Sequence, residues 1–93
     1  MEKEKTGVDI VGEYLVNLIA GVTEHPELVE LKATQDDMGI LYTVKVHQED
    51  AGRIIGKAGQ NVGAIRHILM IVAMKYKIRA SLKLDVPAKP VAA

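Results

Sequence analysis

The residues with the most chemistry in them form one run, Asp50-Ala51-Gly52-Arg53-Ile54-Ile55-Gly56-Lys57-Ala58-Gly59-Gln60-Asn61-Val62-Gly63-Ala64-Ile65-Arg66. Two glycines bracket Lys57-Ala58. Glycine reaches backbone angles that other residues resist, and it carries no side chain to hold a phosphodiester backbone away. The run therefore offers a cation, Lys57, together with the N–H groups that open the next helix, and a helix N-terminus attracts anions. Arg53 and Arg66 flank the loop in sequence, and Gln60 and Asn61 follow its second glycine. This is equipment for holding a phosphate. Bond-making equipment is absent from the sequence: there is no Cys, and Ser81 is the only Ser. Without Cys there is no disulfide, thiolate metal site or thiol nucleophile. His25, His47 and His67 fall on different expected elements with no shared carboxylate cluster, and Asp36-Asp37 reads as turn chemistry. No enzyme, metal site or cofactor is expected.

Charge supports a polyanion partner. The 93 residues carry 12 basic and 12 acidic side chains, a net charge of zero. Residues 1–50 hold four Lys and Arg against eleven acids, a balance of −7, and residues 51–93 hold eight against Asp85 alone, a balance of +7. Such a division between halves points to a polyanion for the basic half. The longest apolar run, Ile68 to Met74, is far short of the roughly 20 residues of a membrane span. The charged start, MEKEKTGVD, has no apolar stretch after it, so no signal peptide is expected and a cytoplasmic location is.

Several elements must position the run. Ile10, Val11, Tyr14, Leu15, Leu18, Ile19 and Val22 form one stripe at helical period, predicting a helix over 9–23 with Asp9 or Thr6 as its cap. His25-Pro26 ends it. Residues 28–34 alternate, with Val29, Leu31 and Ala33 on one face. After turn chemistry at 35–39, Ile40, Tyr42, Val44 and Val46 alternate again, so the two strands make a hairpin. A short helix over 49–55 stops at Gly56. A longer one over 60–76 carries the core stripe Val62, Ile65, Leu69, Val72 and Tyr76. Ile78, Ala80, Leu82, Leu84 and Val86 then give a last strand. A two-helix crossover of about 30 residues suits a parallel, right-handed connection between the second and third strands. The expected fold is α+β: a three-stranded mixed sheet in order 1-2-3 with three helices on one face. Residues 1–7 are expected to be a flexible N-terminus, 8–86 the domain, and 87–93 a disordered Pro/Ala tail.

The apolar pair Ile54-Ile55, then Gly56-Lys57-Ala58-Gly59, then Val62 and Ile65 at helical spacing resembles the signature of the KH domain, whose Gly-x-x-Gly loop clamps backbone nucleotides. The element order is similar to the type II, bacterial arrangement, over about residues 8–86. A lone domain of this size resembles the KhpA-type single-KH bacterial RNA-binding proteins. That resemblance implies a cytoplasmic, single-stranded RNA-binding protein. It further implies an RNA chaperone that works with a second, larger KH protein and is linked to cell-wall and cell-shape control. On that pattern Arg53, Gly56, Lys57, Ala58, Gly59, Gln60, Asn61 and Arg66 are the RNA-binding residues. Ile54 and Val62 offer apolar surface to bases or fill the core. With no aromatic stacking platform on the sheet, binding by one domain is expected to be weak and of low specificity.

The long helix has a second apolar face: Gly63, His67, Met70 and Met74, with Ile71 beside them. A helix apolar on two sides is usually buried on two sides. Gly63 costs roughly 1 kcal/mol relative to Ala in a helix interior but lets another helix come close, and Met suits adaptable interfaces. The face is read as a homodimer surface, or a heterodimer surface for a related KH protein, against a simpler reading in which the C-terminal tail covers it. Two alternative functions stay open: a helix-turn-helix DNA binder, and a degenerate KH assembly module without RNA binding.

Overall fold

A computed structural model describes residues 5–85. It has helix α1 (Gly7–Ala20), strands β1 (Glu30–Asp36) and β2 (Gly39–Lys45), helices α2 (Gln48–Ile55) and α3 (Gln60–Lys75), and strand β3 (Ala80–Asp85). The sheet order is β1-β2-β3, antiparallel between the first two and parallel between the last two. This is the expected α+β arrangement. The expected tail over 87–93, Val86 of the last strand, and residues 1–4 of the expected flexible start lie outside the described residues.

Several boundaries shift for identifiable reasons. α1 begins at Gly7 because Thr6 is its cap: Thr6 Oγ1 accepts the Asp9 N–H, and the Asp9 carboxylate accepts the Thr6 N–H, a reciprocal capping box. The helix closes at Ala20, which leaves Val22 outside it, and Tyr14 is 55 % exposed. The buried stripe is therefore narrower than expected, at Val11, Leu15 and Ile19. Pro26–Leu28 forms a 3-10 turn, so β1 starts at Glu30. Its turn into β2 needs only Asp37-Met38, because Asp36 Oδ1 accepts the Met38 N–H at 2.8 Å. α3 ends in a Schellman motif: Lys77 has φ of 58°, its N–H donates to Met74, and the Ile78 N–H reaches back to Ala73. That turn takes up Ile78, so β3 starts at Ala80.

One core joins the three helices to the sheet. β2 supplies Ile40, Tyr42, Val44 and Val46, all buried, as the alternation predicts. Val11, Leu15 and Ile19 of α1, Ala51 and Ile54 of α2, Val62, Ile65, Leu69 and Ala73 of α3, and Leu82 of β3 complete it. On β1, Leu31 is half-buried but Ala33 is exposed, so the hairpin's outer strand is only partly covered. Tyr42 ties α1 down, its hydroxyl donating to the Val8 carbonyl at 2.6 Å. Ile54 and Val62 are core residues, which decides between their two roles: their side chains hold α2 and α3 on the sheet.

Candidate nucleic-acid interface

α2 and α3 meet at Gly56-Lys57-Ala58-Gly59, and the backbone there is unusual at three of four positions. Gly56 has φ of 75°, Ala58 of 56° and Gly59 of 73°. The glycines reach these angles freely, but Ala58 sits in the left-handed region at a cost of about 1–2 kcal/mol. Strain of this size persists where surrounding structure enforces it, and it collects at functional loops. Nothing in the residue types marks Ala58 as sharing the glycines' conformation.

Asn61 does the enforcing. Its Nδ2 donates to the Arg53 carbonyl at 2.7 Å, linking the first turn of α3 to the last turn of α2. A Cβ on Gly56 would lie 2.5 Å from Asn61 Cγ, so the brace leaves room for nothing but glycine at 56. Gly59 is the opposite case, with open space where a Cβ would go. Gly59 also caps α3 without a side-chain acceptor, and the Gly59 and Gln60 N–H groups turn back to the Gly56 and Lys57 carbonyls. Lys57, Ala58 and Gln60 are exposed around them, and Arg66 is exposed about 9 Å along the axis of α3. The loop thus gathers a cation and the start of a helix that no side chain caps around a surface with little bulk.

Arg53 is held differently. Its guanidinium donates to Glu24 Oε1 at 3.0 Å, across a groove of roughly 670 Å³ between the end of α1 and the α2–α3 pair. Leu18, Val22, Ala64, Ile65 and Ile68 give this groove an apolar floor. Glu24 was not among the residues singled out from sequence. Its role depends on how the α1–β1 connection packs against α2, a contact with no periodic signature. The same connection is anchored by Asp50, which is 2 % exposed and accepts the N–H groups of Glu24 and His25 at 2.9 and 3.0 Å. Burial alone would raise the Asp50 pKa. The hydrogen bonds from Glu24 and His25, with the charge of His25, outweigh burial and hold the carboxyl below its ordinary value.

The described part of the chain now has the element order, the parallel crossover and the braced loop of a type II KH domain. Residues 12–84 match the model of the "KhpA/KhpB, KH domain" family. The chain belongs to this family. Among the curated KhpA relatives, the RNA-binding protein KhpA of Chlamydia pneumoniae is 38 % identical over 72 residues, 77 % of this chain and 92 % of that protein. RNA-binding protein KhpA of Listeria monocytogenes is 33 % identical over 63 residues, 68 % of this chain and 83 % of the relative. RNA-binding protein KhpA of Leifsonia xyli is 31 % identical over 65 residues, 70 % and 86 % of the two chains.

The second face of α3 is exposed in this KhpA/KhpB-type domain. Met70, Ile71 and Met74 are 54, 55 and 69 % exposed, and Gly63 and His67 lie open beside them. Nothing within the described chain approaches Gly63, whose Cβ position meets open space. The histidine reading needs correction: His25 and His47 are brought together, stacked with ring centroids 4.1 Å apart and within reach of Glu49 and Asp50. His67, on α3, is exposed. Among the described residues, no helix is long and apolar enough to cross a membrane.

Proposed function

We propose that the chain binds single-stranded RNA through Gly56-Lys57-Ala58-Gly59. The observation that carries this is the loop itself: a left-handed, side-chain-poor turn that offers Lys57 and the uncapped start of α3 to a phosphate. Membership of the KhpA/KhpB KH family, and relatives named as RNA-binding proteins, support the same ligand. Lys57, Gln60 and the loop N–H groups take the sugar-phosphate backbone. Arg66 adds positive field along α3, and Asn61 holds the turn in shape. The groove beside Arg53 receives bases on aliphatic surface and gives weak, low-specificity binding, because no aromatic ring lines it.

The finer reading follows the family. The protein acts in the cytoplasm as an RNA chaperone in post-transcriptional regulation, connected to cell-wall and cell-shape control. The exposed face of α3 pairs it with a second copy or with a larger KH protein. That face also disfavours the helix-turn-helix alternative, since a recognition helix projects polar side chains into DNA and α3 instead exposes Ile68, Met70, Ile71 and Met74.

The test is fluorescence anisotropy with labelled single-stranded RNA pools at two salt concentrations, comparing the native chain with Lys57→Asp/Ala58→Asp. Asp tolerates the left-handed region better than most residues, so the double variant keeps the fold, and circular dichroism checks that it does. Binding that weakens with salt and disappears in the folded variant supports the loop as the site. Equal binding by both proteins overturns it. For the α3 face, Met70→Glu/Met74→Glu is expected to reduce association in sedimentation velocity. A native chain that stays monomeric at tens of micromolar rules out the second copy.

A further inference from the structure

The His25–His47 stack presents its nitrogens to a single carboxylate. Glu49 Oε1 lies 3.6 Å from His25 Nε2 and 3.7 Å from His47 Nδ1. One ligand atom from each of the three residues falls within 4.8 Å of the other two. The hydrogen bonds around them show which nitrogens are already in use. His25 Nδ1 is 3.2 Å from Asp50 Oδ2. A carboxylate can only accept, so Nδ1 donates to Asp50, which leaves Nε2, facing Glu49, as the nitrogen of His25 open to a metal ion. His47 Nδ1 accepts the Glu49 N–H at 3.0 Å, so that nitrogen carries a lone pair. Two ring nitrogens, His25 Nε2 and His47 Nδ1, and a carboxylate oxygen therefore face one another, with the buried Asp50 carboxylate behind. Neither Glu49 nor Asp50 forms an ion pair with Lys or Arg among the described residues.

The geometry points to a divalent transition-metal site formed by His25 Nε2, His47 Nδ1 and Glu49 Oε1. Imidazole nitrogens with one carboxylate suit zinc, copper or nickel, whereas magnesium and calcium prefer oxygen alone. Tetrahedral zinc with bonds of about 2.0–2.1 Å sets its ligands about 3.4 Å apart, and the two nitrogen–oxygen separations need only a few tenths of an ångström to match. Asp50 supplies what such sites carry behind a histidine: a carboxylate on the other ring nitrogen, fixing its tautomer and orientation. Glu49 and Asp50 also offset the unfavourable placing of a cation at the start of α2. The ion would compete with the Glu49 N–H for His47 Nδ1, exchanging a helix cap for a coordinate bond. It would pin the α1–β1 connection, which carries Glu24, to the first turn of the helix that ends at Gly56.

The experiment uses the full chain without an affinity tag, stripped with chelator. Zinc chloride is titrated near neutral pH by calorimetry and by amide and imidazole NMR. The expected result is one ion per chain at micromolar affinity or tighter, with shifts at the Glu49 amide and at the His25 and His47 rings. Glu49→Gln alters an exposed side chain and so keeps the fold. It and His25→Asn are each expected to weaken zinc binding by about tenfold or more, while His67→Ala leaves it unchanged. No saturable binding up to about 100 µM zinc, or undiminished binding by Glu49→Gln, overturns the site. Loss of binding in His67→Ala does so as well, by moving the ion to α3.

Discussion

Asn61 Nδ2 and the Arg53 carbonyl, 2.7 Å apart, form the side-chain hydrogen bond that joins α2 to α3 across the loop. Asn61→Asp replaces the donor with an acceptor facing another acceptor. It should cost about 1–2 kcal/mol by chemical denaturation, at the upper end for a hydrogen bond because the pairing becomes repulsive. Asn61→Ala should cost about 1 kcal/mol. Both should weaken RNA binding by more than the loss of one contact, because Ala58 is no longer held in its left-handed conformation. An Asn61→Ala protein with native stability and native affinity would show that the turn keeps its shape without the brace.

Glu24 occupies Arg53 in the free protein. Exposed pairs of this kind contribute about 0.2–1 kcal/mol, so Glu24→Gln should raise RNA affinity by up to about fivefold with little change in stability. The salt dependence separates two causes. If Arg53 swings to a phosphate, the slope of log K against log salt steepens by about 0.7, the value for one added contact on a single strand. If only the repulsion by Glu24 is removed, affinity rises without that increment. Unchanged affinity would show that the pair never competes with RNA.

Ala58 allows a direct measurement of loop strain. Ala58→Gly removes a left-handed penalty of about 1–2 kcal/mol but adds about 0.4–1 kcal/mol of chain entropy to the unfolded state. Stability should therefore stay level or rise by up to about 1.6 kcal/mol. Ala58→Val places a branched Cβ where φ is 56° and should cost more than 1 kcal/mol. Thermal denaturation of the two variants reads both effects, and a destabilised Ala58→Gly would contradict the geometry.

Tyr42 gives a pH signature. Burial, and after it the Asp9 carboxylate, push its phenol above the ordinary value. A raised pKa in the folded state means that folding favours the protonated form. This contribution is present below the unfolded pKa of about 10 and is lost as pH rises through the folded value. Tyr42→Phe should cost about 1 kcal/mol at neutral pH through the lost bond to the Val8 carbonyl. It should also flatten the decline in stability above about pH 10. Urea denaturation across that range checks both, and an identical alkaline decline in the two proteins would move its origin elsewhere.

Most of the fold could be read from periodicity, because the deciding signals are local. The alternation of Ile40, Tyr42, Val44 and Val46 and the spacing of Val62, Ile65 and Leu69 survive into buried positions unchanged. Boundaries were less legible where a cap or turn outranked the hydrophobic pattern, as at Thr6, Pro26 and Lys77. At the candidate site, the glycines and Lys57 stood out in the chain. Glu24 did not, and the contact of Asp50 with Glu24 and His25 was not legible, since these residues meet only when the α1–β1 connection folds onto α2 and nothing periodic marks residues that distant in sequence. Asn61 was picked out from its position beside the loop, yet its amide is spent on the Arg53 carbonyl, a use that only coordinates disclose.

The parallel register of β2 with β3 pairs Ile40 with Ala80, and everything between them along the chain, including the loop at Gly56–Gly59, lies inside the stretch that this pairing closes. In kinetic terms the loop is the apex of the longest closure within the sheet. Such non-local pairing slows folding, because the entropy of closing the chain is lost before the strand contacts repay it. A firm α2–α3 turn shortens the effective search by bringing the two halves of the crossover side by side. A change that loosens this turn should therefore slow the approach to the native state as well as alter what the finished protein holds.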